Sequence, residues 1–274
     1  MLTNWICVTC GTQFTASPTP PEFCPICTDQ RQYVAPGGQI WTTLAKMHAQ
    51  GMRNELQHYD SQLIGIGTQP KFAIGQRALF LRTGQGNILW DCITLLDDRT
   101  KAFLNESGGI QAIAISHPHF YSSMIEWARY FHAPIYLHTA DRNWVMRPDD
   151  QITFWSGETQ RLLDTVTLLR LGGHFPGSTV LHWSQGTQGK GILLTGDTIQ
   201  VVADHQWVSF MYSYPNNIPL PAHEIQRIRD AVAPYQFSML YGGWADSVVQ
   251  EQADSVVKKS ANRYIEALTG AFIQ

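Results

Sequence analysis

The chain has 274 residues, of which 44% are hydrophobic and 15% carry a charge. These proportions are typical of a folded domain with a large buried core, and they exclude a disordered chain. With 19 basic and 22 acidic residues, the formal net charge of −3 provides no basic surface for nucleic acid or for anionic membranes.

The first residues of the chain, Met1 to Cys7, lack the charged segment and the apolar segment of a secretion signal. No apolar stretch reaches the ~18 residues that a membrane-spanning helix needs. We therefore expect a cytoplasmic protein whose partners include neither a membrane nor a nucleic acid.

The first motif is a set of two C-x-x-C pairs, Cys7 with Cys10 and Cys24 with Cys27, separated by thirteen residues. Two tight turns that each offer two thiolates can hold one metal ion tetrahedrally. The alternative is a pair of disulfides, which needs an oxidising compartment that nothing in the sequence indicates.

These pairs resemble the metal-binding knuckles of zinc ribbons and of rubredoxin, whose four-sulfur sites suit zinc or iron. Zinc is favoured, because a rubredoxin needs an electron-transfer partner site and the rest of the chain gives little sign of one. So short a segment cannot build an adequate core, and the ion is expected to hold it together. We predict a four-cysteine zinc-ribbon or rubredoxin-like module over residues 1–35 and a main domain over residues 36–274.

The main domain is predicted to contain runs of strands followed by helices, an order that occurs twice. Helices are predicted over residues 43–58, 123–132, 222–233 and 249–268. Strands are predicted over residues 72–83, 87–92, 110–115, 133–138, 167–171, 179–184, 191–195 and 237–241. Such an order indicates two sheets sandwiched between helical layers.

A possible metal site follows the strand predicted over residues 110–115. His117 and His119 are two residues apart, so in extended backbone both side chains point to the same side. Pro118 favours an extended conformation for the residue before it. Histidine is the commonest nitrogen ligand of zinc and iron, whereas Tyr121 and Ser122, which come next, are poor ligands.

Two further ligand candidates stand at the ends of predicted strands. His174 lies in the glycine-rich loop over residues 172–178, where backbone can approach an ion closely. Asp197 directly follows the apolar strand over residues 191–195. Functional side chains often lie on loops that a rigid scaffold positions, and both residues fit that description.

Together these residues resemble the metallo-β-lactamase superfamily over roughly residues 72–244. Four motifs carry the resemblance: the leading strand over residues 87–92, the H-x-H-x-D-H signature beginning at His117, the G-H-x-P-G-S loop over residues 173–178 and the bridging aspartate at Asp197. The resemblance implies an α/β fold, the αβ/βα four-layer sandwich of that superfamily.

The sequence departs from the family pattern in three places. Tyr121 stands at the aspartate position of the signature, Ser122 stands at its second histidine position, and residues 241–244 lack the family's last histidine. All three departures belong to the second metal position of the family. The resemblance therefore implies at most one well-ligated zinc or iron ion, on His117, His119 and His174, with Asp197 as a ligand or as its partner.

This site predicts a metal-dependent hydrolase that acts on a small ester, thioester or lactone through one metal-activated water. Asp197 would complete the coordination or hold the water. Tyr121, with an ordinary pKa of about 10, would donate a hydrogen bond to the substrate or orient the water, or else fill the space of the missing ion.

Two other functions stay open. One is a non-haem iron oxidoreductase to which the cysteine module carries electrons. The other is a non-catalytic scaffold whose cysteine module docks a protein partner. Among the remaining candidates, Cys92 is predicted to be a small buried hydrophobic residue, His138 a packing or hydrogen-bonding residue, and His205 and His223 surface residues.

Overall fold

The computed structural model describes residues 2–272, and two large β-sheets form its centre. The first sheet contains, in spatial order, Arg53–His58, Leu63–Gln69, Ala78–Arg82, Asn87–Trp90, Ala112–Ala114, Ile135–His138 and Ile152–Trp155. The second sheet contains Thr159–Leu163, Val166–Arg170, Thr179–Trp183, Ile192–Leu194, Met239–Tyr241 and Val248–Val249. Three two-stranded ribbons pair Ile6–Cys7 with Trp41–Thr42, Gln200–Val201 with Val208–Ser209, and Met211–Ser213 with Ile218–Pro219.

The helices are short, apart from the two that cover the second sheet. The α-helices are Pro25–Thr28, Leu44–Ala49, Asp98–Glu106, Met124–Phe131, Gly186–Gly189, Ala222–Val232 and Ala253–Leu268. Two segments, Pro118–Phe120 and Thr139–Trp144, are 3₁₀ helices. Within residues 2–272, no helix combines the length and the hydrophobicity that crossing a bilayer requires.

Each large sheet packs against other elements on both faces, and the side chains of its strands alternate between the two cores. In Ala78–Arg82, Leu79 and Leu81 join the core between the two sheets, while Phe80 joins the core beneath the helices. Side chains alternate between the two faces of a strand, so a continuous apolar run supplies both cores. Trp90 from the first sheet and Trp183 from the second are fully buried in the core between the sheets.

A helical layer covers the outer face of each sheet. Leu104 and Trp127, from two helices, pack on the first sheet. Ile228 and Val257, from two others, pack on the second sheet. The order helix, sheet, sheet, helix confirms the predicted αβ/βα four-layer sandwich.

The prediction of one helix over residues 43–58 is wrong in its second half. A helix forms only over Leu44–Ala49, where Thr43 Oγ1 accepts a hydrogen bond from the Lys46 backbone N–H at 3.2 Å. Gly51 then adopts a positive φ of 72°, and Arg53–His58 becomes a strand that pairs antiparallel with Leu63–Gln69. The pairing with a neighbouring strand decides this conformation, because β-structure depends on cross-strand contacts more than on local preference.

The predicted strand over residues 72–83 is also shorter than expected. Only Ala78–Arg82 is a strand, because the chain turns through positive φ angles at Ala73 and Gly75.

The cysteine module is packed against the main domain. Strand Ile6–Cys7 pairs with Trp41–Thr42, which lies beyond the predicted module boundary at residue 35. The Gln13 backbone N–H donates to the Ser122 carbonyl at 3.0 Å, and Thr94 Oγ1 donates to the Gly11 carbonyl at 2.9 Å. The division at residue 35 stays a prediction.

Candidate metal centres

The four cysteines of the two C-x-x-C pairs converge into one buried cluster. The Sγ atoms of Cys7 and Cys27 are 3.5 Å apart, and those of Cys10 and Cys24 are 3.7 Å apart. Disulfide sulfurs are about 2.05 Å apart. A tetrahedral ion with metal–sulfur bonds of about 2.3 Å sets sulfur–sulfur distances of about 3.8 Å. The geometry therefore fits a metal ion and excludes disulfides.

Local structure brings these sulfurs together. The short helix Pro25–Thr28 starts at Cys24, whose carbonyl accepts the backbone N–H of Cys27 at 3.0 Å. Hydrogen bonding with Cys24 and burial raise the pKa of the Cys10 thiol well above its ordinary value. Four thiolates in one buried cluster repel one another unless a cation lies among them, so the donor set suits a metal ion.

The second cluster lies where the two sheets meet the loops at their ends. His117 and His119 follow strand Ala112–Ala114 of the first sheet. His174 and Asp197 follow strands of the second sheet, on the loops after Val166–Arg170 and Ile192–Leu194. All four residues are 4% exposed or less.

The two neighbouring histidines converge differently from the sequence prediction. His117 is extended, with φ −170° and ψ 172°, but Pro118–Phe120 forms a 3₁₀ turn in place of continued strand. Pro118 starts this turn, a position where its missing N–H costs no hydrogen bond. The turn places the His117 and His119 ring centroids 5.1 Å apart. The prediction that both histidines lie in extended backbone is therefore wrong, although both reach one site.

The possible ligand atoms are His117 Nε2, His119 Nδ1, His174 Nε2 and Asp197 Oδ2. The Asp197 Oδ2 atom lies 3.3 Å from His117 Nε2 and 3.7 Å from each of the other two nitrogens. His174 Nε2 and His119 Nδ1 are 3.2 Å apart. Tetrahedral bonds of about 2.1 Å place ligand atoms about 3.4 Å from one another. The observed distances match that value.

Hydrogen bonds from outside the cluster orient two of the rings. Ser116 Oγ lies 2.8 Å from His117 Nδ1, and the Tyr212 carbonyl accepts from His174 Nδ1 at 2.9 Å. In each ring the other nitrogen, Nε2, is left to face the cluster. Such partners fix the tautomer of a metal-binding histidine and hold its plane.

Three polar atoms of this cluster are buried without a hydrogen-bond partner: His117 Nε2, His119 Nε2 and Asp197 Oδ1. Leaving such atoms unpaired is costly, and a cation among the four side chains would remove that cost for His117 Nε2, one of the possible ligand atoms. Three imidazoles and one carboxylate suit zinc or iron. The residues present therefore fit a metal ion.

The charge states of the cluster also suit a cation. Burial lowers the pKa of His119 to about 4, with the charge of His117 acting in the same direction. Burial and the neighbouring imidazoles His117 and His119 lower the pKa of His174 well below its ordinary value. Burial alone would raise the pKa of Asp197, but the imidazoles, His117 foremost, hold it well below its usual range. At neutral pH the site thus offers lone pairs on these rings and an ionised carboxylate.

The residues at the family's second metal position have other partners. Ser122 Oγ donates to the Cys92 carbonyl at 3.2 Å and accepts from Gln76 Nε2 at 3.1 Å. The Trp244 indole N–H donates to the Ile74 carbonyl at 3.1 Å. Within residues 2–272, histidine, cysteine and acidic side chains form two groups with metal-binding geometry, the two described above.

The other candidate residues take up places in the core or on the surface. Tyr121 is 2% exposed in the core under the first sheet, and burial raises the pKa of its hydroxyl well above 10. Its catalytic role stays a prediction. Cys92 is fully buried, and His138 Nε2 lies 3.1 Å from the Gly157 carbonyl, as predicted. His205 and His223 are exposed.

Sequence reasoning missed two residues beside the core cluster. The Phe175 ring is fully buried, and its centroid lies 5.0–5.8 Å from those of the three histidines. The guanidinium carbon of Arg31 lies 3.8 Å from the centroid of that ring. An aromatic residue directly after His174 was the available signal for Phe175, while Arg31 lies 143 positions from His174 and gave none.

Comparison with solved structures identifies the fold. The chain is similar to the DIM-1 metallo-β-lactamase, with 14% identity, a TM-score of 0.57, and coverage of 77% of this chain and 98% of that one. It is similar to FIM-1 from Pseudomonas aeruginosa, a metallo-β-lactamase in its mono-zinc form, with 15% identity, a TM-score of 0.55, and coverage of 77% and 96%. The chain has the metallo-β-lactamase fold.

Comparison with curated sequences identifies the family. The chain is 54% identical over 265 residues to the uncharacterized protein YmaE of Bacillus subtilis (strain 168), covering 96% of both chains. It belongs to the same family as YmaE. No protein-family model matches the chain.

Proposed function

We propose that this chain is a metal-dependent hydrolase with one catalytic ion on His117, His119, His174 and Asp197. The observation that carries the proposal is the convergence of four buried donor atoms, three of whose residues keep an unpaired polar atom. The metallo-β-lactamase fold supports it, because the site lies where the two sheets of that fold meet.

The ion, when bound, supplies Lewis acidity toward a carbonyl oxygen and lowers the pKa of water from 15.7 to roughly 7. Ser116 and Tyr212 hold their histidine rings in the ligating orientation. Asp197 Oδ1 is free to accept a hydrogen bond from the attacking water. Because the histidines depress its pKa, Asp197 orients that water and does not retain its proton.

The surroundings of the site support a small, partly apolar acyl substrate, namely an ester, thioester or lactone. The Tyr214 ring centroid lies 6.1 Å from that of His174, and its hydroxyl donates to the Asp197 carbonyl at 3.0 Å. Phe175 adds a second aromatic wall. The five buried cysteines, all within the described residues, form no disulfide with one another, which supports the cytoplasm as the proposed location.

Zinc in both centres is the proposed metal content, and its quantification tests the proposal. Purified wild-type protein is expected to hold two equivalents per chain, and His119→Ala is expected to hold one. His138→Ala is the matched control and should keep two, because His138 lies outside both clusters. Iron in both centres would instead support the oxidoreductase.

Activity is measured on a panel of p-nitrophenyl esters, acyl thioesters and lactones. Wild type and His138→Ala are expected to turn over at least one class, and His119→Ala none. One equivalent of metal in wild-type protein would overturn the proposal and leave a scaffold with a structural cysteine site. Unchanged turnover by a metal-free His119→Ala chain would overturn it as well.

A further inference from the structure

One short segment connects the two metal centres. Residues 29–32, here called the strap, start directly after the helix Pro25–Thr28, which carries Cys27. Asn216 Nδ2, from the main domain, donates to the carbonyls of Gln30 at 2.8 Å and Gln32 at 3.2 Å. The strap is therefore tied to the cysteine module through the chain and, through hydrogen bonds, to the turn that joins Met211–Ser213 to Ile218–Pro219.

Arg31 is the residue of the strap that reaches the core cluster. Its Nη1 donates to the His174 carbonyl at 3.4 Å, and its guanidinium carbon lies 3.8 Å from the centroid of the Phe175 ring. Trp144 and Tyr212 complete an aromatic surround, with ring centroids 5.2 and 5.4 Å from the guanidinium carbon. Arginine suits such a place, because its planar cation stacks on aromatic faces.

A second residue of the strap holds Arg31 in this orientation. Asp29 accepts hydrogen bonds from Arg31 Nε at 2.6 Å and from Arg31 Nη2 at 2.9 Å, so the ion pair is bidentate. Asp29 Oδ1 also accepts the Arg31 backbone N–H at 2.9 Å. Both side chains are mostly buried, at 10% and 17% exposure, so water screens this pair weakly.

A stack of aromatic rings and one guanidinium group covers the core cluster. Its layers are the three imidazoles, then the fully buried Phe175 ring, then the Arg31 guanidinium. With the metal-ligating residues at most 4% exposed, a substrate can reach them only if something moves. Lids that leave and return are a common way for a buried site to admit its substrate.

We infer that the strap is the lid of the core site and that Arg31 is its positioning residue, held in place by the metal-bound cysteine module. Cys27 is two residues before Asp29, so loss of the cysteine-bound ion removes the support on which the strap begins. This inference rests on the proposed function in taking the core cluster as the reactive site, but its test by access to the rings needs neither the ion nor a particular substrate.

The test is the rate at which the full, zinc-loaded chain gives up its core ion to excess EDTA. Arg31→Ala is expected to speed the release of the second equivalent roughly tenfold or more, because it removes the outer layer of the stack. Arg31→Lys should release the core ion at a rate between those of wild type and Arg31→Ala, since lysine keeps the charge but cannot form the bidentate ion pair with Asp29. Arg53→Ala, at a site whose side chain is 66% exposed, is the matched control and should match wild type.

A second readout keeps the lid testable if the core site holds no ion. Diethyl pyrocarbonate modification of His119 and His174, followed by mass spectrometry, reports access to the rings directly. It is expected to be slow in wild type and faster in Arg31→Ala. Wild-type rates for Arg31→Ala in both experiments would overturn the lid, whereas a wild-type metal content of one would overturn only the proposed function.

Cys27→Ser tests the dependence on the cysteine module. It is expected to lose one equivalent of metal, keep the circular dichroism of the sandwich and show the fast access of Arg31→Ala. Slow access in that variant would overturn the coupling. Loss of the whole fold would also overturn it, because the module would then stabilise the sandwich as a whole and not the strap alone.

Discussion

The phenyl ring of Phe120 lies against the backbone of Gly243, so close that a Cβ on Gly243 would be 2.5 Å from Phe120 Cζ. Gly243 lies in the segment, residues 241–244, where the family resemblance places the last histidine of the second metal position. Phe120 itself follows His119 directly and packs on His117, with ring centroids 4.9 Å apart. An aromatic side chain thus occupies space beside the core site that a second set of ligands would need.

Gly243→Ala is expected to destabilise the protein by about 1–3 kcal/mol, because the new Cβ overlaps the Phe120 ring. Urea unfolding measures this change. Gly67→Ala is the matched control, since a Cβ there meets nothing within 4 Å. Adding Phe120→Leu to Gly243→Ala should recover part of the loss, and equal stabilities for both single variants would contradict the steric account.

Gly243→His is expected to add no third equivalent of metal. The imidazole cannot enter the space that Phe120 fills, and the neighbouring Ser122 is already bonded to Gln76 and to the Cys92 carbonyl. Metal quantification checks this, with wild type as the reference. A third equivalent of metal in the variant would show that the family's second metal position lacks only this one ligand.

Ser116→Ala is expected to weaken core metal binding by roughly 10–100-fold while leaving the fold intact. The reason is the loss of the partner that orients His117 through Nδ1 at 2.8 Å. Competition with a chromophoric chelator measures the affinity. Ser255→Ala, on the exposed face of the helix Ala253–Leu268, should behave as wild type. An unchanged affinity for Ser116→Ala would show that packing alone sets the orientation of the ring.

The core ion is expected to stay bound at pH 6.5 and to leave between about pH 6 and pH 4. Burial lowers the pKa of His119 to about 4, so protons compete for this ring only well below the ordinary value of 6.5. In the metal-free site the same shift lowers the free energy of unfolding as pH falls from 6.5 towards 4, because the unfolded chain takes up the proton first. Dialysis across a pH series with metal quantification checks the release, and loss of the core ion above pH 6.5 would contradict it.

Cys10→Ala and Cys92→Ala are expected to differ sharply although both cysteines are fully buried. Cys10→Ala should lose one equivalent of metal and lower the unfolding temperature strongly, because the ion supplies much of the stability of the cysteine module. Cys92→Ala should keep two equivalents and cost about 1 kcal/mol of buried contact. Metal loss from Cys92→Ala would contradict the assignment of its side chain to the hydrophobic core.

Short sequence motifs predicted the residues of both candidate metal centres. The C-x-x-C spacing already specifies two knuckles, because each needs only one turn of local backbone. The pattern of His117, His119, His174 and Asp197 identified the core cluster through its resemblance to a known fold. Among the described residues, the apolar runs predicted eight of the thirteen strands in the two large sheets and four of the seven α-helices, since they encode which faces are buried.

Tertiary contacts decided the rest. Arg53–His58 is a strand because a neighbouring strand offers it hydrogen bonds, which no local preference reveals. The close approach of Phe120 to Gly243, and the stacking of Arg31 on Phe175, join segments far apart in the chain. Steric exclusion and stacking depend on the distance between atoms in space, so the packing of Phe120 and Arg31 around the proposed metal site became visible only in the folded structure.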